Sequence, residues 1–130
     1  MPTQKARILM VDDEQDLCFF VKANLEIVGN YEVITATSGR EGVRAASWHK
    51  PDLILLDVMM PGMDGFEVLK KLKEDIKTAS IPVIMLTAKA DDESKMKAAG
   101  LYGDDYIVKP VEFKMLKARI DSALASKGFK

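Results

Sequence analysis

The sequence predicts an α/β domain: a doubly wound, five-stranded parallel sheet with helices on both faces. Three observations carry this. Strand-like apolar runs and helical stripes alternate five times along the 130 residues. Three of the runs are almost continuously apolar, which suits strands buried on both faces of a parallel sheet. Single helices between successive strands imply right-handed βαβ crossovers, and covering both faces requires the chain to reverse its winding direction once.

Each element has its own warrant. The first strand is Ala6–Val11, ending in Asp12-Asp13. A helical stripe follows, Leu17, Phe20, Val21, Leu25 and Val28, stopped by Gly29-Asn30. Cys18 stands beside this stripe and reads as inert packing. The second strand is Tyr31–Ala36. Ser38-Gly39-Arg40-Glu41 then has capping-box form, with Ser38 as N-cap. His49, the only histidine, follows Trp48 and reads as a surface loop residue, because no second histidine or thiol joins it. The third strand, Leu53–Leu56, ends in Asp57 and opens onto Val58-Met59-Met60-Pro61-Gly62-Met63-Asp64-Gly65. Phe66, Leu69 and Leu72 form the next stripe. Pro82–Leu86 is the fourth strand, ending in Thr87. Asp91-Asp92-Glu93 loads acid onto the start of a fourth helix, where the helix dipole favours it. Tyr106–Val108 is the fifth strand, ending in Lys109-Pro110, and Phe113, Leu116, Ile120 and Leu124 form the last stripe.

Composition narrows the class. Hydrophobic residues at 48% and charged residues at 30% fit a globular chain with a real core. A net charge of −1 offers no electrostatic footprint for nucleic acid. No apolar stretch approaches the roughly 20 residues that cross a bilayer. Residues 1–5 run into the first strand without the apolar core of a signal peptide. With Cys18 as the single cysteine there is no disulfide framework, and a reducing cytoplasm is the expected compartment. Neither repeats nor a linker divide the chain, so residues 1–130 read as one domain.

The chemistry lies at strand ends. In open α/β sheets ligands bind beyond the carboxyl ends of the strands, where the winding reverses. Asp12, Asp13 and Asp57 would bring three carboxylates into that crevice, and such a cluster calls for a cation or for raised pKa values. An all-oxygen site open to water suits Mg²⁺, which completes its shell with water and phosphate oxygens. Lys109 adds a point charge for a phosphoryl oxygen, and Thr87 adds a hydroxyl donor. The set reads as a carboxylate nucleophile, a metal clamp and two groups that neutralise charge on a transferred phosphoryl group. Taken singly, each has a plainer reading. Asp12 and Asp13 serve equally well as helix-capping acids, Thr87 as a capping hydroxyl, Lys109 as a solvated lysine and Tyr106 as a packing aromatic.

Val11-Asp12-Asp13-Glu14, Asp57 through Gly65, Thr87-Ala88 and Asp104-Asp105-Tyr106-Ile107-Val108-Lys109-Pro110 together resemble the receiver domain of bacterial two-component response regulators. The resemblance covers essentially the whole chain. It implies a flavodoxin-like strand order of 2-1-3-4-5, with Asp57 as phosphoacceptor. It also implies Mg²⁺ held directly by Asp13, Asp57 and the Met59 backbone carbonyl, with Asp12 acting mainly through water. Lys109 would pair with the phosphoryl group, Thr87 would hydrogen-bond it, Tyr106 would turn inward on activation, and Lys109-Pro110 would be cis. Met59 and Lys89 would set the rate of dephosphorylation. The implied partners are a sensor histidine kinase or histidine phosphotransfer protein and a downstream output protein or domain. Output would be read from the face made by the fourth helix, the fifth strand and the last helix, with no direct contact to nucleic acid or membrane. A dimer formed on phosphorylation stays open. One departure is Tyr102, where the family usually has glycine at the end of the fourth helix.

The resemblance implies a switch rather than an enzyme, with chemistry limited to self-phosphorylation from a donor and slow autodephosphorylation. An aspartate-nucleophile phosphatase would need a second acid shortly after the nucleophile, and Met59 stands two residues beyond Asp57. A phosphate-independent module would have lost an acid, the threonine or the lysine. No Gly-x-Gly-x-x-Gly follows the first strand, which disfavours a dinucleotide binder.

Overall fold

The computed structural model describes residues 5–88 and 105–128. Within them the chain forms β1 (Arg7–Val11), α1 (Gln15–Ile27), β2 (Glu32–Ala36), α2 (Gly39–His49), β3 (Leu53–Asp57), α3 (Gly65–Glu74), β4 (Val83–Thr87), β5 (Asp105–Val108) and a last helix (Phe113–Ala125). All strands are parallel, in the order β2-β1-β3-β4-β5. The helix expected from Asp91-Asp92-Glu93 lies outside the described residues, as do Lys89 and Tyr102.

The continuous apolar runs are explained by a core on each face of the sheet. Ile8, Met10, Leu53, Leu55, Ile84, Leu86 and Ile107 point to one side, where Cys18, Val21 and Leu25 of α1 and Leu116, Ile120 and Leu124 of the last helix cover them. Leu9, Val11, Ile54, Leu56, Val83 and Met85 point to the other side, against Ala46 of α2 and Val68, Leu69 and Leu72 of α3. The side-chain period of two sends alternate residues to opposite layers, so the interior positions of β1, β3 and β4, buried on both faces, are all apolar. Each fully buried Leu or Ile contributes about 1.5–3 kcal/mol of transfer free energy.

Topology then fixes the crevice. From β1 the chain winds to β2 on one side, then crosses back over β1 to place β3 on the other. The reversal falls between β1 and β3, whose ladder runs from Ile8↔Leu53 to Val11↔Leu56. Asp12 directly follows the first of these strands and Asp57 closes the second. Ladder pairing continues one residue further than the apolar runs: Asp57 pairs with Leu86, and Thr87 pairs with Val108. Asp57 and Thr87 therefore belong to the ends of regular strands, and Asp12 and Lys109 stand one residue past theirs.

Three local expectations are corrected. The buried face of α1 is Cys18, Val21 and Leu25, whereas Phe20 is 45% exposed and Val28 60% exposed. The i, i+3, i+7 spacing from residue 18 aligns with the sheet; Phe20 is turned away from it, and Val28 lies past the helix end. Asn30 there takes the left-handed conformation, with φ of 59°. His49 is the final residue of α2 and not a loop residue, because Lys50 with φ of 48° provides the left-handed cap. Ser38 is the N-cap of α2 as expected, and only the return bond of the capping box is displaced by one residue. Ser38 Oγ accepts from the Glu41 N–H at 3.2 Å, but the Glu41 carboxylate accepts from the Thr37 N–H at 3.1 Å.

Candidate functional site

Each side chain of the site is set by the strand that ends at it. Asp12 and Thr87 are fully buried, Asp57 is 3% exposed, and Asp13 is exposed at the rim. The Asp12 N–H donates to the Ala36 carbonyl at 3.0 Å, and the Val58 N–H to the Leu86 carbonyl at 2.9 Å. Both bonds continue the sheet past its last strand residue and hold the carboxylates at the lip. On the far side the Lys109 N–H donates to the Thr87 carbonyl at 2.6 Å, which ties the lysine to the end of β4. The Lys109–Pro110 peptide is cis.

The loop after Asp57 closes tightly on it. The Met59 N–H faces Asp57 Oδ1 at 3.4 Å, and the Gly65 N–H donates to the Val58 carbonyl at 2.8 Å. A Cβ on Gly65 would lie 2.2 Å from the Asp57 carbonyl oxygen, so only glycine lets α3 begin here. Asp64 caps the same helix by accepting the Glu67 N–H at 3.0 Å.

Electrostatics concentrate on one ammonium. Lys109 Nζ lies 2.7 Å from Glu14 Oε1, 3.0 Å from Asp12 Oδ2 and 3.4 Å from Asp57 Oδ1. Burial works against the charged lysine, but these carboxylates outweigh it and raise its pKa. Burial pushes the Asp57 carboxyl up to about 7, the Asp12 charge adds to this, and Lys109 opposes it. Cys18 donates its thiol to the Asp12 carbonyl at 3.3 Å. Burial, reinforced by Asp12, pushes that thiol up to about 11, which leaves it inert.

The carboxylate oxygens of Asp12, Asp13 and Asp57 lie within 4.8 Å of one another. Asp12 Oδ1 accepts from the Glu14 N–H at 2.9 Å, but the buried Oδ2 has the lysine contact without an aligned hydrogen bond. Buried acceptors normally find aligned donors. An all-oxygen cluster with one such acceptor has the donor set of a hard divalent cation. The residues fit a metal.

The structure therefore brings Asp12, Asp13, Asp57 and Lys109 together and seats Thr87 at the end of the neighbouring strand. Tyr106 is half-buried against the core on the α2 and α3 side, one position before the buried Ile107. Met59, two residues beyond Asp57, is 64% exposed. Glu14 is the residue that sequence reasoning left without a role. Its only signal is a third acid directly after Asp12-Asp13, and its contact with Lys109 spans 95 positions.

The site is thus a buried carboxylate at the switch point of an α/β sheet, set against an ammonium and two further acids. The response regulator receiver domain model matches residues 8–121. The chain is 42% identical over 118 residues to the alkaline phosphatase synthesis transcriptional regulatory protein PhoP of Bacillus subtilis, a match covering 91% of this chain and 48% of that protein. It is 40% identical over 121 residues to the phosphate regulon transcriptional regulatory protein PhoB of Pseudomonas aeruginosa, covering 93% and 52%. Among solved structures, chemotaxis protein CheY4 of Vibrio cholerae matches with a TM-score of 0.84 and 32% identity, covering 92% of this chain and 99% of that one. The chain spans about half the length of the curated relatives it matches. It belongs to the response regulator receiver domain family, the phosphorylation-activated switches of two-component signalling.

Proposed function

We propose that the chain, folded as one domain over residues 1–130, accepts a phosphoryl group on Asp57 from the phosphohistidine of a sensor histidine kinase or a histidine phosphotransfer protein. The observation that carries this is the buried Asp57 carboxylate 3.4 Å from Lys109 and clustered with Asp12 and Asp13. An Asp57 oxygen attacks phosphorus, the phosphorus–nitrogen bond breaks, and its electron pair returns to the imidazole. Lys109 neutralises charge on the phosphoryl oxygens, and the Thr87 hydroxyl donates to one of them. Mg²⁺, held by Asp13, Asp57 and the Met59 carbonyl, with Asp12 acting mainly through water, would supply further charge neutralisation there.

The phosphoryl group then biases a pre-existing equilibrium. Thr87 and Lys109 draw in toward it, Tyr106 turns inward, and β5 and the last helix, together with the fourth helix expected outside the described residues, present the output face to a protein or domain. That the curated relatives are named transcriptional regulators supports an output of that kind, reached without contact between this domain and DNA. No described helix is long and apolar enough to cross a membrane, and the proposed phosphodonor supports a cytoplasmic setting. Hydrolysis of the acyl phosphate is slow, because Met59 gives the attacking water no acceptor and Lys89 can only donate.

Incubation with acetyl phosphate and Mg²⁺ tests the reading. Intact mass should show one added phosphoryl group, absent from Asp57→Asn. Undiminished labelling of that variant rules out Asp57 as the acceptor.

A further inference from the structure

We propose that Glu14 is a positioning residue, a competing counter-ion that holds Lys109 in the resting state and must release it when Asp57 is phosphorylated. This rests on Asp57 being the phosphoacceptor. Lys109 lies within ion-pair distance of three carboxylates, and of these Glu14 is the one that accepts an aligned hydrogen bond from it. Glu14 makes the shortest of the three contacts, at 2.7 Å, and Asp57 the longest, at 3.4 Å.

The three partners differ in freedom. Asp12 and Asp57 are fixed at strand ends inside the protein. Glu14 is the N-cap residue of α1, yet its side chain makes no capping hydrogen bond. Its backbone is anchored through its N–H to Asp12 Oδ1, while its side chain, 60% exposed, crosses to a lysine side chain only 14% exposed. A solvated carboxylate on a flexible stem is the contact that gives way at least expense when a phosphoryl dianion arrives. Until then it keeps Lys109 shared and adds a negative charge at the mouth that the phosphodonor must approach. Glu14 thus sets how readily Lys109 is recruited, without touching the reacting atoms.

Removing the charge should ease phosphorylation. In the assay reaction Asp57 attacks the phosphorus of acetyl phosphate, the bond to the acetate oxygen breaks, and acetate leaves with the electron pair. Glu14→Gln should raise the rate of this reaction about two- to fivefold, the range a partly exposed ion pair can supply. Its affinity for beryllofluoride with Mg²⁺, a stable phosphoryl mimic, should rise by a similar factor. The ratio of variant to parent should shrink toward one as salt is raised, since the contact is solvated. In a Lys109→Ala background the Glu14→Gln gain in beryllofluoride affinity should disappear. Glu14→Ser, which gives α1 a good N-cap, should behave as Glu14→Gln does and serves if the glutamine variant folds poorly. Equal rates and affinities in parent and variants, a salt-independent ratio, or a gain that survives Lys109→Ala would each overturn the proposal. If the parent takes up no phosphoryl group, or Asp57→Asn still does, the Asp57 reading falls and this one with it.

Discussion

Gly65→Ala tests how tightly the fold clamps Asp57, the proposed phosphoacceptor. An added Cβ would stand 2.2 Å from the Asp57 carbonyl oxygen, 2.7 Å from Val58 Cα and 3.0 Å from the Asp57 carbonyl carbon. Apolar carbons rest about 3.5–4.0 Å apart, so α3 and the end of β3 must separate by roughly 1 Å. All three neighbours are backbone, and none can rotate aside. The separation strains or breaks the 2.8 Å bond from the Gly65 N–H to the Val58 carbonyl. Losing that bond costs about 0.5–1.5 kcal/mol, and overpacking adds about 1–3 kcal/mol. The better helix propensity of alanine returns at most ~1 kcal/mol, which leaves a net loss of about 1–4 kcal/mol. In urea this moves the midpoint down by roughly 1 M, taking a slope of about 1–3 kcal/mol per M. Phosphoryl uptake should fall further than stability explains, by roughly 10–100-fold, because a displacement near 1 Å misaligns the attacking oxygen. Gly62→Ala is the control. Gly62 has φ of 78° but nothing within 4 Å of its missing Cβ. It should lose about 1–2 kcal/mol from the left-handed conformation and keep its uptake rate. A Gly65→Ala protein that matches the parent in both midpoint and uptake refutes the clamp. Equal damage to uptake in both variants would assign the effect to loop conformation instead.

Three further outcomes are expected. Asp13→Ala should bind Mg²⁺ at least tenfold more weakly by calorimetry or NMR titration, on the order of one lost charged ligand, while the metal-free protein should melt no lower; unchanged affinity would remove Asp13 from the ligand set. Met59→Asn and Lys89→Glu, which offer an acceptor to the attacking water, should shorten the phosphoprotein lifetime after donor removal, and parent-like decay would discard the account of water positioning. Asp121 is pushed up by burial, but the Lys117 ammonium and the Tyr31 hydroxyl bonded to it outweigh this and hold its carboxyl below the usual range. The stability it contributes is therefore present above the unfolded carboxylate value and lost as pH falls through the lower folded one. At its partial exposure this amounts to at most about 1 kcal/mol. Urea midpoints of parent and Tyr31→Phe should converge as the solution is acidified, and a constant gap would deny the linkage.

Much of the sheet was legible because burial on both faces leaves no choice of residue. Leu53–Leu56 and Pro82–Leu86 admit no polar side chain, so their bounds fell within one residue of the observed strands. The site was legible for a related reason: a charged residue directly after such a run is conspicuous. Helix faces were harder. In α1 the pattern carries apolar residues all round, with Phe19 and Ile27 exposed as well as Phe20 and Val28, while Cys18 joins Val21 and Leu25 against the sheet. Hydrophobicity ranks residues, whereas burial follows the angle the helix presents. The contact of Lys109 with Glu14 was not legible, although its place beside Asp12 and Asp57 was. Glu14 and Lys109 are 95 positions apart, and nothing local distinguishes a third acid that reaches the lysine from one that points to water.

The site is also where the fold is least at ease. Two apolar layers pack around the sheet, yet at the switch point the chain buries Asp12 with an oxygen lacking an aligned donor and drives the Asp57 carboxyl up to about 7. One ammonium is divided among three acids. For stability alone, apolar residues at these strand ends would serve better. For a switch, the imbalance is useful, because a site already short of positive charge must reorganise when a phosphoryl group adds more negative charge. In the proposed switch the change would travel by backbone as well as side chain. Lys109 is tied through its N–H to the Thr87 carbonyl, and both lie at the ends of β4 and β5, the strands nearest the proposed output face. Whatever draws Lys109 and Thr87 toward Asp57 therefore pulls on the strand that carries Tyr106, three positions before Lys109 in the sequence. The bias on two conformations is then set by how strongly Lys109 is held before phosphorylation and how strongly after, and Glu14 weights the first of those two terms.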